Sequence, residues 1–317
     1  MKKIKEYFFN LRLVKSAIKG SQHWKLPGFD GVTLYDVVIF FEKQVEKVGL
    51  SERAAAISYN FIMAIPPTCL FFFTLIPQLP FVNNQALQRQ IRSLITDMIP
   101  APEYNAQIIN FIDTFFESSR VGLLSFGFLL LIFFASNGMM GIMRSFNKEY
   151  IGFQKRTDFQ ARLAAIKLTF ILLGLLFLTL LLLSLQGFVL RWLGIEQEWL
   201  IALIKFSRWI FILALVFYAI AFIYKFAPAI PKKWKLSSPG AILATTLCIL
   251  ATLGFSLFVN NFGKYNALYG SIGTIIVLMT IIYINSLVLL IGYELNISIH
   301  SLKTIAQQRE KQESQNT

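Results

Sequence analysis

The sequence predicts an all-α integral membrane protein with six transmembrane helices, and three observations support that fold class. Hydrophobic residues make up 56% of the 317 residues, charged residues make up only 15%, and the mean hydropathy is +0.59. This composition is too apolar for a soluble protein of this size. Six stretches are long and apolar enough to cross the hydrocarbon core, and Lys and Arg collect in alternate segments between them. Because lipid cannot satisfy backbone N–H and C=O groups, the stretches must be helices rather than the short alternating strands of a barrel.

The six predicted spans form one membrane domain of residues 54–296. They lie at about 54–76, 121–143, 168–187, 207–226, 239–260 and 271–293. A basic cytoplasmic segment, residues 1–53, precedes them, and a polar cytoplasmic tail, residues 297–317, follows. The tail ends in QQREKQESQNT, which has no aromatic residue and is expected to be disordered.

The distribution of basic residues predicts the orientation of the spans. Segments assigned to the cytoplasm hold 22 Lys or Arg against five in the outward segments, with Lys167, Lys205 and Arg208 at span edges. This asymmetry places both termini in the cytoplasm and explains the formal charge of +13 without bound nucleic acid. We expect the basic loops to contact anionic lipids of the inner leaflet. Residues 1–53 show no apolar run ending at a small-residue cleavage site, so no removable signal peptide is expected.

Two regions outside the spans show helical periodicity. Residues 33–48 predict an amphipathic helix on the inner leaflet, whose apolar face carries Leu34, Val37, Val38, Phe41 and Val45. The long external loop after the first span predicts an amphipathic helical hairpin over residues 87–98 and 108–116, interrupted by a PAP sequence. This hairpin either caps a cavity or simply lies in the interface.

The residue types needed for hydrolytic or metal chemistry are sparse. His23 and His300 are the two histidines, both cysteines, Cys69 and Cys248, fall in apolar runs, and the carboxylates are scattered singly over loops. Metal-dependent hydrolysis needs clustered carboxylates or histidines, and a disulfide framework needs more cysteines. We therefore predict no catalytic residue, no metal, no cofactor and no enzymatic activity.

Three amides within the spans are the main candidates for a polar site inside the membrane. Asn60, Asn137 and Asn285 lie in spans one, two and six, about six to nine residues from the predicted cytoplasmic ends. At 1.5 Å per residue their depths agree at roughly 9 to 13 Å, although the spans run in opposite directions. The three side chains either face the bundle interior together as a polar site or serve only as contacts between helices.

Span six presents two different faces. A rotation of about 100° per residue puts Asn285, Gly292 and Asn296 on one face. Tyr283, Ser286 and Glu294 lie on nearly the opposite face. Either one face packs while the other lines a cavity, or the asparagines serve only as contacts between helices. Glu294 is interpreted as an edge residue that pairs with a loop lysine, with a proton carrier as the alternative.

Other polar and small residues in the spans have mainly structural interpretations. Lys205 and Arg208 lie at the outer end of span four and are expected to snorkel to the interface, with a role in substrate binding as the alternative. Gly138 and Gly141, together with Gly270, Gly273 and Thr274, are expected to allow close approach of helices.

Two adjacent prolines interrupt span one near its middle. Pro66 and Pro67 lack amide hydrogens, which frees the carbonyls of Ile62 and Met63. A helix break, as a kink or a brief unwinding, is therefore predicted. In lipid the freed carbonyls need a partner, so this part of the span should face the protein interior, where it either binds a solute or only shapes the packing.

Three segments together resemble the YihY/BrkB family of bacterial inner-membrane proteins. They are ERAAAISYNFIMAIPPTCLFFFTLIP at 52–77, MRSFNKEYI at 143–151 and YGSIGTIIVLMTIIYINSLVLLIGYELN at 269–296. The resemblance covers Thr33 to Asn296, and this sequence departs from it at IIYIN in span six, where family members often have WLY. It implies a six-span inner-membrane protein, sometimes labelled a virulence factor for serum resistance and often described as a possible transporter. The family has also carried a ribonuclease BN label, which the sparse carboxylates and histidines of this sequence do not support.

These observations lead to two expectations of function from different classes. The first is a transporter or exporter of a small amphipathic or lipid-like solute, with its polar site near Asn60, Asn137 and Asn285. The second is a non-transporting envelope protein that organises lipids or partners through its basic loops and external hairpin. Both are compatible with a homo-oligomer.

Overall fold

The computed structural model describes residues 24, 28–29, 31–75, 92, 109, 113, 121–146, 156–192, 198–230, 233–261 and 264–315. Within these ranges all regular secondary structure is α-helical, in seven helices. They are α1 (Leu34–Val48), α2 (Leu50–Leu75), α3 (Val121–Phe146), α4 (Asp158–Trp192), α5 (Glu198–Phe226), α6 (Pro239–Asn261) and α7 (Lys264–Gln315). The predicted all-α class is confirmed for this part of the chain.

Five of the described helices are long and apolar enough to cross a membrane. The qualifying stretches are Leu50–Phe72 of α2, Leu124–Phe146 of α3, Asp158–Thr179 of α4, Trp209–Phe226 of α5 and Ile276–Gln308 of α7. In α6, where the sequence predicts the fifth span, the apolar stretch Pro239–Phe255 is shorter than these. The chain is therefore a multi-pass helical membrane protein, and the count of six spans stays a prediction.

A helix is present where the sequence predicts the amphipathic segment. The Thr33 hydroxyl caps the N-terminus of α1 by accepting a hydrogen bond from the Asp36 amide at 3.2 Å. Gly49 ends α1 in the left-handed conformation, with φ of 62°, and α2 begins at the next residue. A single glycine thus forms the whole connection between α1 and the first span.

The apolar face of α1 contacts protein as well as solvent. Val37 is fully buried and packs with Phe29 and with Ile299 of α7, whereas Val38 is 50% exposed. The contact with α7 covers part of the predicted apolar face. Its placement on the inner leaflet stays a prediction.

The prolines of the first span do not interrupt the helix. Helix α2 is continuous from Leu50 to Leu75 with Pro66 exposed and Pro67 buried, so a break by unwinding is wrong, and a kink stays a prediction. The Thr68 hydroxyl donates to the Ala64 carbonyl at 2.6 Å, one turn back along the same helix. This bond engages Ala64 rather than Ile62 or Met63, whose carbonyls the prolines free. In apolar surroundings a departure from helical hydrogen bonding is costly, which favours a continuous helix.

Helix α7 continues well beyond the predicted last span. It runs to Gln315, so the disorder expected for the tail is wrong over residues 307–315. The extension is anchored where Ile299 and Leu302 pack with Val37 of α1. Its Gln, Glu, Lys and Arg residues are good helix formers, which explains why a polar segment stays helical.

The predicted external hairpin lies almost entirely outside the described residues. Arg92 and Asp113, one from each predicted helix, form an ion pair with Nη2 and Oδ2 2.5 Å apart. The two segments are therefore in contact at this point.

The described residues divide into two compact units. The larger unit contains residues up to 58 and from 139 onward, and the smaller unit contains residues 59–138. In the smaller unit the second half of α2 packs against the first half of α3, with the ring centroids of Phe71 and Phe128 5.4 Å apart. In the larger unit the most extensive packing is between α6 and α7.

In the larger unit, the start of α4 lies beside the end of α5. Arg156, just before α4, donates hydrogen bonds to the carbonyls of Phe226, Ala227 and Pro228 at the end of α5. Burial lowers the pKa of Arg156, yet an arginine stays protonated in proteins, so a charged side chain caps α5. The start of α4 therefore lies beside the end of α5.

Other contacts extend this grouping to the remaining helices. The start of α6 contacts α7 through Gly240 and Asn296, and the end of α3 contacts α7 through Phe146 and Tyr293. All of these segments are ones that the charge pattern assigns to the cytoplasm. We call this part of the larger unit the basic end, defined by Arg53, Phe146, Arg156, Phe226–Ile230, Ser238 and Tyr293. Its assignment to the cytoplasmic side stays a prediction.

Candidate functional site

A buried ion pair joins the start of α2 to α7 at the basic end. Arg53 Nη1 and Glu294 Oε1 are 2.7 Å apart, and the two side chains are 7% and 0% exposed. Arg53 Nη2 also donates to the backbone carbonyl of Ser145 at the end of α3. One guanidinium therefore links three helices through charge-assisted hydrogen bonds.

Aromatic side chains fix the turn of α7 that carries Glu294. The ring of Tyr293 stacks on that of Phe146 with centroids 3.7 Å apart, and its hydroxyl donates to the Phe146 carbonyl at 2.8 Å. The rings of Trp234 and Tyr224 lie 5.7 and 6.2 Å from that of Tyr293. Tyr224 also donates to the Leu289 carbonyl of α7 at 2.6 Å. We call Phe146, Tyr224, Trp234 and Tyr293 the aromatic cluster.

On another side of α7, a polar contact and a close approach connect it to α6. Asn296 Oδ1 accepts a hydrogen bond from the Gly240 amide at 2.8 Å, and its Nδ2 donates to Ser238 Oγ at 3.0 Å. A Cβ added at Gly292 would lie only 2.6 Å from Ala244 Cβ and from the Gly240 carbonyl oxygen. The α6 and α7 backbones therefore meet at a point where a side chain has no room.

The helical rotation explains how one turn of α7 serves three neighbours. Gly292 and Asn296 are four residues apart and share the face that meets α6. Tyr293 and Glu294 point elsewhere, to the end of α3 and to the start of α2. The two faces predicted for span six are therefore used by different partners, and both faces pack at this level.

The structure corrects the predicted partner of Glu294. The sequence suggested a loop lysine at the membrane edge, but Glu294 is fully buried and its partner is Arg53. The reason is geometric, since α2 begins close to α7 and an arginine in its first turns reaches the carboxylate. Tyr283, on the same face of α7, makes an exposed hydrogen bond of 2.8 Å to Ser51 of α2.

The three asparagines of the predicted polar band fall in different units. Asn60 and Asn137 belong to the smaller unit and Asn285 to the larger, and each is half-buried. A Cβ at Gly138 would lie 4.0 Å from the Asn60 carbonyl, so α2 and α3 run side by side at this level. Asn285 Nδ2 donates to the Ile281 carbonyl of its own helix at 2.9 Å. A joint site of the three amides stays a prediction.

The described structure says little about the other predicted site residues and about metal-ligand side chains. Lys205 and Arg208 lie on α5, but the positions of their side chains are outside what the structure describes. Among the described residues no three His, Cys, Asp or Glu side chains are grouped as a metal would require. The chemistry that the described residues do provide is that of the buried ion pair.

Arg53 is the functional candidate that the sequence interpretation missed. The charge pattern treats Arg53 only as one of the basic residues that orient the first span. Its position at the start of α2 also indicates that it needs an anionic partner. Arg53 lies in the first turn of α2, where a positive charge opposes the helix dipole, and an apolar run follows it. A cation in that position needs an anionic partner, and Glu294 is the acidic residue of the last span.

The fold and the site together define a class of protein: a multi-pass α-helical membrane protein whose helices are tied together at one end by a buried ion pair. The family model "Virulence factor BrkB" matches residues 42–317, so the chain belongs to that family. The three segments that carry the family resemblance meet at the site, because they supply Arg53, Ser145 with Phe146, and Gly292 to Asn296.

Named relatives agree with the family assignment. The chain is 30% identical over 259 residues to "Putative ribonuclease-like protein YfkH" of Bacillus subtilis (strain 168), which covers 80% of this chain and 91% of that protein. It is 24% identical over 267 residues to a "UPF0761 membrane protein" of Haemophilus influenzae (strain 86-028NP), covering 83% of this chain and 95% of that protein. A further "UPF0761 membrane protein", from Pseudoalteromonas translucida, is 34% identical over 94 residues, 28% of this chain and 31% of that protein. No solved structure matches the chain.

Proposed function

We propose that this protein is a transporter or exporter that moves a small amphipathic or lipid-like solute across the membrane. The observation that carries the proposal is the Arg53–Glu294 pair, which is almost fully buried where α2, α3 and α7 meet. Ionisable residues inside helical membrane proteins usually mark pathways for solutes or protons. In a transporter, the Arg53–Glu294 pair would close the basic end of the bundle and separate when the solute passes.

Stability alone does not account for a buried pair of this kind. Removing two charges from water costs several kcal/mol per ion in rough terms, and well-packed apolar residues of similar volume are often as stabilising. A purely structural contact between three helices would be met by Leu or Met at both positions. A pair that can open and re-form supplies the two states that alternating access needs.

The non-transporting alternative is supported by the close packing of the same region. The stacked rings of Tyr293 and Phe146 and the Gly240–Gly292 approach are what a static scaffold for lipids or partners would show. A transporter closed at this end would show the same contacts. A measurement of solute movement is needed to separate the two functions.

We also propose that the chain is not an enzyme and that it lies in the bacterial inner membrane with both termini in the cytoplasm. The ribonuclease-like name belongs to the relative from Bacillus subtilis, and the described residues offer no grouped carboxylates or histidines for hydrolysis. The basic loops support contact with anionic lipids of the inner leaflet.

The transport proposal is tested by comparing lipids and metabolites in a strain lacking the gene with those in complemented strains. A transporter predicts that one solute accumulates in the deletion strain and returns to normal with the wild-type protein but not with Arg53→Gln at equal membrane abundance. Arg144→Gln is the matched control, because Arg144 is exposed and lies next to Ser145 on α3. An unchanged profile together with weakened resistance to detergents would instead favour the scaffold function.

A further inference from the structure

The guanidinium of Arg53 has more hydrogen-bonding capacity than its present partners use. Nη1 binds Glu294 and Nη2 binds the Ser145 carbonyl, but Nε is buried with no hydrogen-bond partner among the described residues. An arginine presents five N–H donors in a planar fork that matches a carboxylate or phosphate through two parallel bonds. The contact with Glu294 at 2.7 Å uses a single guanidinium nitrogen, so it is not the bidentate pairing that this side chain favours.

Further basic side chains lie at the basic end, around the last turn of α5. Lys225 and Lys233 place their ammonium groups 5.7 and 4.7 Å from the ring centroid of Phe226, and Arg156 binds the carbonyls of the same turn. Lys233 and Lys235 are exposed to solvent. Basic side chains grouped at one helix end raise the local concentration of anions there.

We propose that the transported solute carries an anionic group, a phosphate or a carboxylate, and that Arg53 binds this group in exchange for Glu294. This inference rests on the proposed transport function and names the chemical class of its solute. In the closed state Glu294 neutralises the buried guanidinium. When the solute enters from the basic end, its anion becomes the counter-ion and the fork of Arg53 gains the bidentate partner it lacks.

The exchange explains why the position holds arginine rather than lysine. An ammonium group is a point charge that can also pair with Glu294, but it cannot bind a planar or tetrahedral anion through two parallel bonds. The exchange keeps Arg53 compensated, because at each stage one anion faces its guanidinium. The released Glu294 carboxylate then has to reach water at the basic end, because it would be a costly uncompensated charge if it stayed buried.

The test uses the purified full-length protein in phosphatidylcholine vesicles and three probes. NBD-labelled phosphatidylglycerol carries an anionic phosphate, NBD-labelled glucosylceramide has the same amphipathic form without charge, and radiolabelled inorganic phosphate is the free anion. Dithionite quenching measures movement of the labelled lipids, and filtration measures uptake of phosphate. We expect an anionic probe to move about tenfold or more faster than glucosylceramide, since a site that binds a polar group discriminates strongly against analogues without it.

Variants connect the preference to Arg53. The double variant Arg53→Gln with Glu294→Gln removes both charges without leaving one unpaired, and we expect it to move phosphatidylglycerol and glucosylceramide at similar rates. Arg53→Lys keeps the ion pair and should move the anionic probe several-fold more slowly while retaining the preference. If the double variant does not fold, Arg53→Lys decides alone, and an unchanged rate with that variant overturns the proposal.

The three probes give different results if the anionic solute is wrong and if transport itself is wrong. Movement of phosphatidylglycerol but not of phosphate identifies a lipid headgroup as the anion, and the reverse result identifies a free anion. Equal movement of glucosylceramide and phosphatidylglycerol by the wild-type protein overturns the anionic solute but leaves transport standing. If none of the three probes moves, both the anionic solute and the transport function are wrong.

Discussion

At the scale of single residues, Arg53 and Glu294 depend on each other for compensation of their charges. Each is at least nine-tenths buried, and Nη1 and Oε1 lie 2.7 Å apart. Removing one partner leaves a buried charge, whereas removing both leaves only a volume to fill. Stability and function can therefore be separated at this site by comparing single and double substitutions.

Single and double substitutions of the ion pair should differ in stability. Glu294→Ala should lower the free energy of unfolding by about 3–5 kcal/mol, because Arg53 stays buried without its counter-ion. The double variant Arg53→Met with Glu294→Leu should recover most of this loss. Unfolding in SDS, followed by circular dichroism on the detergent-purified protein, measures all three.

A control for this series lies on the same face of α7. Tyr283→Phe removes an exposed hydrogen bond to Ser51 and should cost no more than about 1 kcal/mol. If the double variant is as unstable as Glu294→Ala, the pair contributes more than charge compensation and the argument from desolvation is wrong.

At the scale of helices, the contact of α6 with α7 depends on two glycines. A Cβ at Gly292 would lie 2.6 Å from Ala244 Cβ and from Tyr224 Oη, and a Cβ at Gly240 would meet the Gly292 carbonyl and Asn296. Backbone and buried side chains surround both positions. Neither helix can therefore give way without disturbing the turn that carries Glu294.

The second prediction follows from that lack of space. Gly292→Ala should destabilise the protein by about 1–3 kcal/mol, because the two backbones must separate. Gly254→Ala on α6 is the matched control, since Gly254 is exposed and a Cβ there has no neighbour within 4 Å. That substitution should be neutral or stabilise the helix by up to about 1 kcal/mol. Equal effects in thermal unfolding would show that the close approach is not needed.

The third prediction concerns the contact of α1 with the extension of α7. Ile299→Ala should cost about 2–5 kcal/mol, because Ile299 is 6% exposed and packs with Phe29 and Val37. Val38→Ala on α1 should have a small effect, since Val38 is half exposed. Limited proteolysis between residues 24 and 50 provides the measurement, and protection that is unchanged in Ile299→Ala would show that α1 docks by other contacts.

The sequence predicts the positions of the helices better than the contacts between them. Long apolar runs determine where a chain can cross lipid, so each predicted span coincides to within one residue with part of an observed helix, from α2 to α7. The extension of α7 is held by the contact of Ile299 with Val37, which periodicity does not reveal. The continuity of α2 through its prolines is likewise not visible in the sequence. The sequence does not single out Gly240 and Gly292 for close helix approach, because spacing does not show which helices are neighbours. At Gly138, which it does single out, a Cβ would lie 4.0 Å from the Asn60 carbonyl of α2.

At the scale of the whole molecule, the charge pattern predicted which segments would gather but not which residue would form the site. The segments assigned to one side by their Lys and Arg do meet at the basic end of the larger unit. In that pattern Arg53 is one basic residue among many. Its pairing with Glu294 leaves no local signal in the sequence, since the two residues are 241 positions apart.

The last prediction tests which side of the membrane the basic end faces. In a background with Cys69→Ala and Cys248→Ala, a membrane-impermeant maleimide should label Asn105→Cys in intact cells, because residue 105 lies in the loop predicted to be external. Lys233→Cys should react only after the inner membrane is permeabilised, since Lys233 is exposed at the basic end. Reaction of both variants with a permeant maleimide confirms that each thiol is accessible. Labelling of Lys233→Cys in intact cells would invert the orientation, and the proposed transport would then bring the solute to Arg53 from outside rather than from the cytoplasm.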